Sequence, residues 1–259
     1  MSRPADVVLL HGVGLDHTVW DRVVPGLAGE GRTVHAPDLL GHGTAPDAPA
    51  GSTLSDLAAP VAALLDRAGE RPLHLVGFSL GALVATRVAL DRPDRVAALT
   101  LVSGVADRSD AQRAAVLDRL RAARSDLPAT FDAAVERWFS PSWRAAEPGT
   151  ADRMRSVLGA NRPASYLACY EVFATADAEL WPELPRLGAP VVATTGADDP
   201  GSTPAMSEGL ADRVPHGRAV IVPGARHLLP LERPDAVLAA IRETPPRTPT
   251  DPSTGALAR

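Results

Sequence analysis

Leu73-His74-Leu75-Val76-Gly77-Phe78-Ser79-Leu80-Gly81-Ala82-Leu83-Val84-Ala85-Thr86-Arg87-Val88-Ala89-Leu90 is the stretch on which the reading of this chain turns. Leu73, Leu75 and Val76 open it as a short apolar run, the pattern of a buried strand. Ala82 to Leu90 is rich in alanine and leucine and reads as a helix, stopped by Pro93. Gly77-Phe78-Ser79-Leu80-Gly81 must turn the chain between them. A G-x-S-x-G sequence between strand and helix is a nucleophile elbow. Its serine occupies a strained turn, and side chains at Gly77 and Gly81 would clash across it. The turn lifts the Ser79 hydroxyl above the sheet edge. It also aims the N-terminus of the following helix at the same point, where free N–H groups and the helix dipole favour an oxyanion.

The chain has 259 residues, 45% hydrophobic and 22% charged, enough for one large α/β core with an insertion. A formal net charge of −5 gives no reason to expect a nucleic-acid partner. Every basic residue is arginine, which removes lysine as a catalytic base or Schiff-base former. One cysteine, Cys169, excludes an intrachain disulfide and suits a cytoplasmic location. Met1 to Asp6 is too short and polar for a signal peptide, and no apolar run approaches membrane-spanning length.

Strands are predicted at Val7 to Leu10, Thr33 to Ala36, Leu73 to Val76, Val96 to Val102, Val191 to Thr195 and Ala219 to Val222. Helices are predicted at Thr18 to Leu27, Ser52 to Ala68 and Ala82 to Leu90, and later at Met206 to Arg213 and Asp235 to Arg242. Ser52 or Thr53 caps the second, with Asp56 in its first turn. The alternation implies a mostly parallel sheet with helices on both faces, starting directly at the Val7 strand. Residues 1–106 and 188–243 form this core. Between them, over residues 107–187, strand signals vanish. Ser109 to Arg124, Phe131 to Phe139, Ala151 to Leu158 and Ala164 to Ala176 read as helices, and most of the aromatic residues gather there. An all-helical insert between strands of a parallel sheet sits over their carboxyl ends, where such sheets bind ligands, so it reads as a lid. Residues 244–259, rich in proline and threonine, read as a disordered tail.

A serine nucleophile needs a base, an orienting carboxylate and oxyanion donors, all at one end of the sheet. Among seven histidines, only His227 follows a late strand and lies beyond the acid candidates, so it is the expected base. His35 and His74 are expected to be structural, His17 and His216 to face solvent, and His11 and His42 to line the pocket without acting as base. The acid belongs after the Val191 strand, where Asp198 and Asp199 compete. Pro200 fixes the direction of Asp199, which suits an orienting role. Asp38 and Asp107 are weaker alternatives. The expected oxyanion donors are the N–H groups of Leu80, just after the nucleophile, and Val13, in the His11-Gly12-Val13-Gly14 turn. No metal and no cofactor is expected.

With these motifs the chain resembles the α/β-hydrolase superfamily from Val7 to about Arg242. The resemblance rests on His11-Gly12-Val13-Gly14, Asp38-Leu39-Leu40-Gly41-His42-Gly43, the Ser79 elbow, Gly196-Ala197-Asp198-Asp199-Pro200 and Gly224-Ala225-Arg226-His227. In that family the acid stands three residues after the glycine of its loop, which selects Asp199. Glu136-Arg137-Trp138-Phe139-Ser140-Pro141-Ser142-Trp143-Arg144 and the run from Ala160 to Tyr170 are similar to lid segments of 3-oxoadipate enol-lactonases. This implies a serine hydrolase of small esters or lactones. It also implies a substrate carboxylate, to be met by Arg137 or Arg144 in a pocket lined by His11, Trp138, Trp143 and Tyr166. Other functions open on this fold are a methyl esterase, a biosynthetic cyclase or thioesterase, and a non-catalytic receptor. The lysine-dependent lyases of the fold are disfavoured.

Overall fold

Every residue of the strands β1 (Val7–Leu10), β3 (Leu73–Phe78), β4 (Val96–Val102) and β5 (Val191–Gly196) is buried. Strands that are apolar on both faces must be covered on both faces, which is the condition of a parallel sheet wrapped in helices. The structure, a computed structural model, describes residues 5–244. Its six strands, completed by β2 (Val34–His35) and β6 (Gly217–Val222), run in the order β2-β1-β3-β4-β5-β6, and every pairing is parallel. Val8 lies opposite Leu75, and Leu10 opposite Gly77, which in turn faces Leu101 of β4. The order reverses between β1 and β3, a switch point that opens a crevice at their carboxyl ends. Within the sheet, the buried His74 ring meets the Thr100 hydroxyl at 2.8 Å.

The core helices are α1 (Val24–Gly29), α2 (Leu54–Arg67) and α3 (Leu80–Asp91), then the insert, then α9 (Pro204–Arg213), α10 (Leu229–Glu232) and α11 (Pro234–Glu243). Thr53 caps α2, exchanging hydrogen bonds with Asp56 as expected. Nearly all of α3 is buried; Leu83, Val84 and Val88 each contribute about 1.5–3 kcal/mol through burial. The predicted helix at Thr18 to Leu27 is two pieces. Asp16 accepts from the Thr18 backbone and hydroxyl, tightening His17–Trp20 into a 3-10 turn, and α1 begins afresh before Pro25. Thr244, expected in the tail, is buried and bonds Thr100 and the Ala240 carbonyl. The remainder of that tail lies outside the described residues.

Between β4 and β5 the chain forms helices only: α4 (Asp110–Ser125), α5 (Phe131–Trp138), α6 (Pro141–Ala146), α7 (Pro148–Gly159) and α8 (Pro163–Leu180), with short 3-10 turns. No helix is predicted at α6, where Pro141 has the character of a breaker. It is instead the first residue of the helix, where proline is favoured, behind the Ser140 cap. A buried ion pair joins the Arg108 guanidinium to Asp177 at 2.5 Å and pins α8 to the start of the insert. Removing one partner of such a pair strands a buried charge and costs about 3–5 kcal/mol. Among the described residues no helix is long and apolar enough to cross a membrane.

Candidate active site

Four turns at the carboxyl ends of β1, β3, β5 and β6 converge under the insert. Ser79 holds φ 53° and ψ −112°, a strained conformation for a residue with a side chain. Its geometry forbids other residues at the flanking glycines. A Cβ on Gly77 would strike the Gly81 carbonyl oxygen, and one on Gly81 would strike that of Leu10. The Ser79 N–H is tied to the Val102 carbonyl at 2.9 Å. The turn after β1 runs alongside: a Cβ on Gly12 would come within 3.2 Å of the Ser79 Cβ. The N–H groups of Leu80, next to Ser79 in the chain, and of Val13, which lines the same cavity, donate to no acceptor among the described residues. Leu80 is the first residue of α3, where N–H groups lack helical partners.

His227 and Asp199 meet at 2.7 Å, imidazole Nδ1 to carboxylate Oδ2. Asp199 is buried and held from three further directions. The Gly201 and Ser202 N–H groups reach Oδ1 at 2.8 and 3.0 Å, and the Thr195 hydroxyl reaches Oδ2 at 3.2 Å. Asp198 is exposed, leaving Asp199 as the carboxylate that faces the ring. The Ser103 hydroxyl donates to the His227 carbonyl at 2.8 Å, and the Phe78 ring packs 5.0 Å from the imidazole. A carboxylate on Nδ1 leaves Nε2 as the outward ring nitrogen, the arrangement that a serine-activating base requires.

Ser79, Asp199 and His227 line one cavity of about 400 Å³, large enough for a small organic molecule. Its roof and sides come from Arg119 and Ala122 of α4, Ala134, Arg137 and Trp138 of α5, and Tyr166 and Tyr170 of α8.

The model of the α/β hydrolase fold family matches residues 7–234. This chain belongs to that family. The hydrolase is 28% identical over 246 residues to (E)-2-((N-methylformamido)methylene)succinate hydrolase of Acinetobacter baylyi, with 94% of this chain and 91% of that one covered. It is 35% identical to the pimeloyl-[acyl-carrier protein] methyl ester esterase of Edwardsiella ictaluri, over 92% of each. Among solved structures it superposes on the enol-lactonase of Burkholderia xenovorans LB400 with a TM-score of 0.83 and 26% identity, covering 93% of this chain and 91% of the other. The expected fold and the expected enzyme class, a carboxylic ester hydrolase, agree with these relatives.

Of the residues expected to touch substrate, Arg137, Trp138 and Tyr166 line the cavity of the hydrolase. His11, Trp143 and Arg144 do not. His11 is fully buried beneath the turn, with Nε2 accepting from the Leu39 N–H and Nδ1 against the Gly12 carbonyl. Burial lowers its pKa to about 4, so it is a neutral structural ring. His42 also misses the cavity and stands edge-on to His11 at 5.1 Å. Trp143 stacks on Phe139 at 4.3 Å and takes the Arg22 guanidinium over its outer face. Arg144 turns away toward Glu136, 3.8 Å distant. His17, expected to face solvent, is half-exposed and bonds Asp38 at 2.8 Å.

Arg119 escaped the sequence reading. Its position with Ala122 and Ala123, three and four residues on, sets a cation beside two small side chains on one helix face, which leaves room for a ligand. Arg137 and Arg119 form no ion pair or hydrogen bond with any described residue. Burial, and then the nearby Arg119 charge, lower the Arg137 pKa. Arg108 also lines the cavity, but Asp177 neutralises it.

Proposed function

We propose that this hydrolase cleaves a small ester or lactone that carries a remote anionic group, through an acyl-enzyme on Ser79. The observation that carries the reading is the 2.7 Å contact between His227 Nδ1 and Asp199 in the same cavity as Ser79. Ser79 Oγ attacks the carbonyl carbon while His227 takes its proton through Nε2. Asp199 holds the imidazole tautomer and stabilises the imidazolium. The negative charge on the carbonyl oxygen falls to the Val13 and Leu80 N–H groups, each worth a few kcal/mol of barrier, about 3 to 4. His227 returns the proton to the departing alcohol or enol oxygen. A water then attacks the acyl-enzyme with His227 again as base, releasing the acid and Ser79.

Arg137 and Arg119 support the anionic substrate. Two guanidiniums without protein carboxylates line one cavity, and burial already disfavours the Arg137 charge there, so an anion that joins them gains charge-assisted hydrogen bonds. Trp138 and Tyr166 supply apolar walls between that end and Ser79. The names of the relatives fit: one acts on a substituted succinate, another is an enol-lactonase. The methyl esterase relative supports a second reading, a neutral ester accepted by the same lid.

Ser79→Ala tests the chemistry. Turnover of a p-nitrophenyl ester panel should vanish while the fold, read by circular dichroism, is kept. Activity within tenfold of the parent would overturn the acyl-enzyme. Including monoesters of dicarboxylic acids, neutral diesters, enol-lactones and acyl-thioesters separates the substrate readings.

A further inference from the structure

His227 is flanked by two residues that bind the insert. Leu228 N–H donates to the Trp138 carbonyl at 2.9 Å. The Arg226 guanidinium donates to the Glu136 carbonyl at 2.8 Å. Beneath them lies Glu232, buried at the end of α10. Its Oε2 accepts the Arg226 N–H at 3.1 Å, and its Oε1 accepts the Ser140 N–H at 3.2 Å. It has no ion-pair partner among the described residues. A buried carboxylate is costly, and one without a cation is retained only where its acceptors are used. Here the two oxygens hold one residue on each side of a seam: the residue before His227, and the residue two past Trp138.

We propose that Glu232 is a positioning residue that clasps the His227 loop to the insert, so that the base and the Trp138 wall of the cavity are held as one unit. The proposal rests on the hydrolytic reading for its effect on rate, but not for its effect on geometry. Without the clasp, the loop carrying His227 loses its backbone anchor at Arg226 and keeps only the side-chain one, and the imidazole drifts from the aligned position that proton transfer needs.

Two variants cut the clasp in different ways. Glu232→Gln keeps size and shape, but its amide has one acceptor oxygen, and its NH₂ meets an N–H head-on. One of the two bonds must break. Ser140→Pro removes the donor on the insert side, together with the hydroxyl that caps α6. Ser140 already has φ −62°, which proline adopts, and Phe139 before it is extended, as a residue preceding proline must be. Ser140→Ala is the control, because it loses the hydroxyl that caps α6 but keeps the N–H.

Each variant is read in two ways: kcat and KM on the best ester of the panel, and the proton NMR signal of the His227 Nδ1–H shared with Asp199. Glu232→Gln and Ser140→Pro should each lower kcat about tenfold and shift or broaden that signal, with Ser140→Ala within about twofold of the parent on both readings. The proposal is overturned if Glu232→Gln and Ser140→Pro keep the parent signal and kcat. It is also overturned if Ser140→Ala falls as far as Ser140→Pro, which would assign the effect to the helix cap. Should Glu232→Gln fail to fold, Ser140→Pro decides. If no ester is turned over, the hydrolytic reading has failed and the Nδ1–H signal alone judges the clasp.

Discussion

Asp199, on the loop after β5, accepts hydrogen bonds from His227, Thr195, Gly201 and Ser202. Arg137, on α5 across the same cavity, has no such partner among the described residues. The contrast extends to their surroundings. On the sheet side, positions are set by backbone: a strained serine, glycines that admit no side chain, N–H groups aimed at fixed points. On the helical side, positions are set by side chains that reach into space from helix faces. The sheet side is therefore held by the protein's own hydrogen bonds, whereas Arg119 and Arg137 of the insert carry charge that no described residue pairs. On the proposed function, chemistry on the first and selectivity on the second could vary independently, since a change of helix face leaves the turns untouched.

The sharpest way to break this division is at the carboxylates. Asp199→Asn should lower kcat by about 10⁴, because an amide offers the His227 ring the wrong tautomer. Asp198→Asn, one residue away and exposed, should leave kcat within about threefold. Steady-state rates of the two, side by side, decide, and a reversed ranking would move the orienting acid to Asp198. A smaller effect is expected across the cavity. Arg137→Ala should raise KM for a dicarboxylic monoester about 10- to 100-fold while sparing the neutral diester, the range of a charge-assisted hydrogen bond. Arg144→Ala should do neither. A parent enzyme that prefers the diester would dissolve the selectivity assigned to the insert.

Stability against pH also divides the molecule. Burial lowers the pKa of His11 to about 4, and those of His42 and His74 to about 3, from the ordinary 6.5. The folded protein keeps these rings neutral, while the unfolded chain protonates them below about pH 6.5. Their contribution is thus whole above that pH and is lost as pH falls toward their folded values, by up to about 1.4 kcal/mol per pH unit for each ring. All three lie on the sheet side, and the insert contains no histidine. Urea midpoints should therefore fall between about pH 7 and about pH 5. Hydrogen exchange should show the sheet loosening before the helices do. Equal midpoints at both pH values would remove the distinction.

The sequence discloses the sheet side far better than the insert, for a physical reason. A strand-to-helix turn with no room for a Cβ leaves glycines at fixed offsets, so Ser79, the alternation of strands with helices and the loops that carry Asp199 and His227 are all written locally. The facing of a helix in a multi-helix insert depends on neighbours distant in sequence. Trp143 looked like a pocket wall because nothing local reveals the Arg22 side chain, far away in sequence, that covers it from the core. Arg137 and Arg144 looked equivalent, and only the break between α5 and α6 sends them opposite ways. Two histidines misled for a related reason. Glycine-rich turns suggest exposure, yet the β1 turn folds its own ring inward, where the Leu39 N–H takes it up.

Cys169 sits on α8 with its thiol buried against the Leu40 carbonyl, and burial pushes its pKa up to about 12. At neutral pH such a thiol carries almost no thiolate, the form that reacts with maleimides. The chain also contains no lysine, so amine reagents find no side chain to modify. In effect its side chains are silent to the two commonest labelling reactions. A single Ala133→Cys substitution, at an exposed position on the cavity rim, would give one reactive handle on this quiet background. A fluorophore attached there would report the movement of α5 in single molecules, with no native cysteine to replace first.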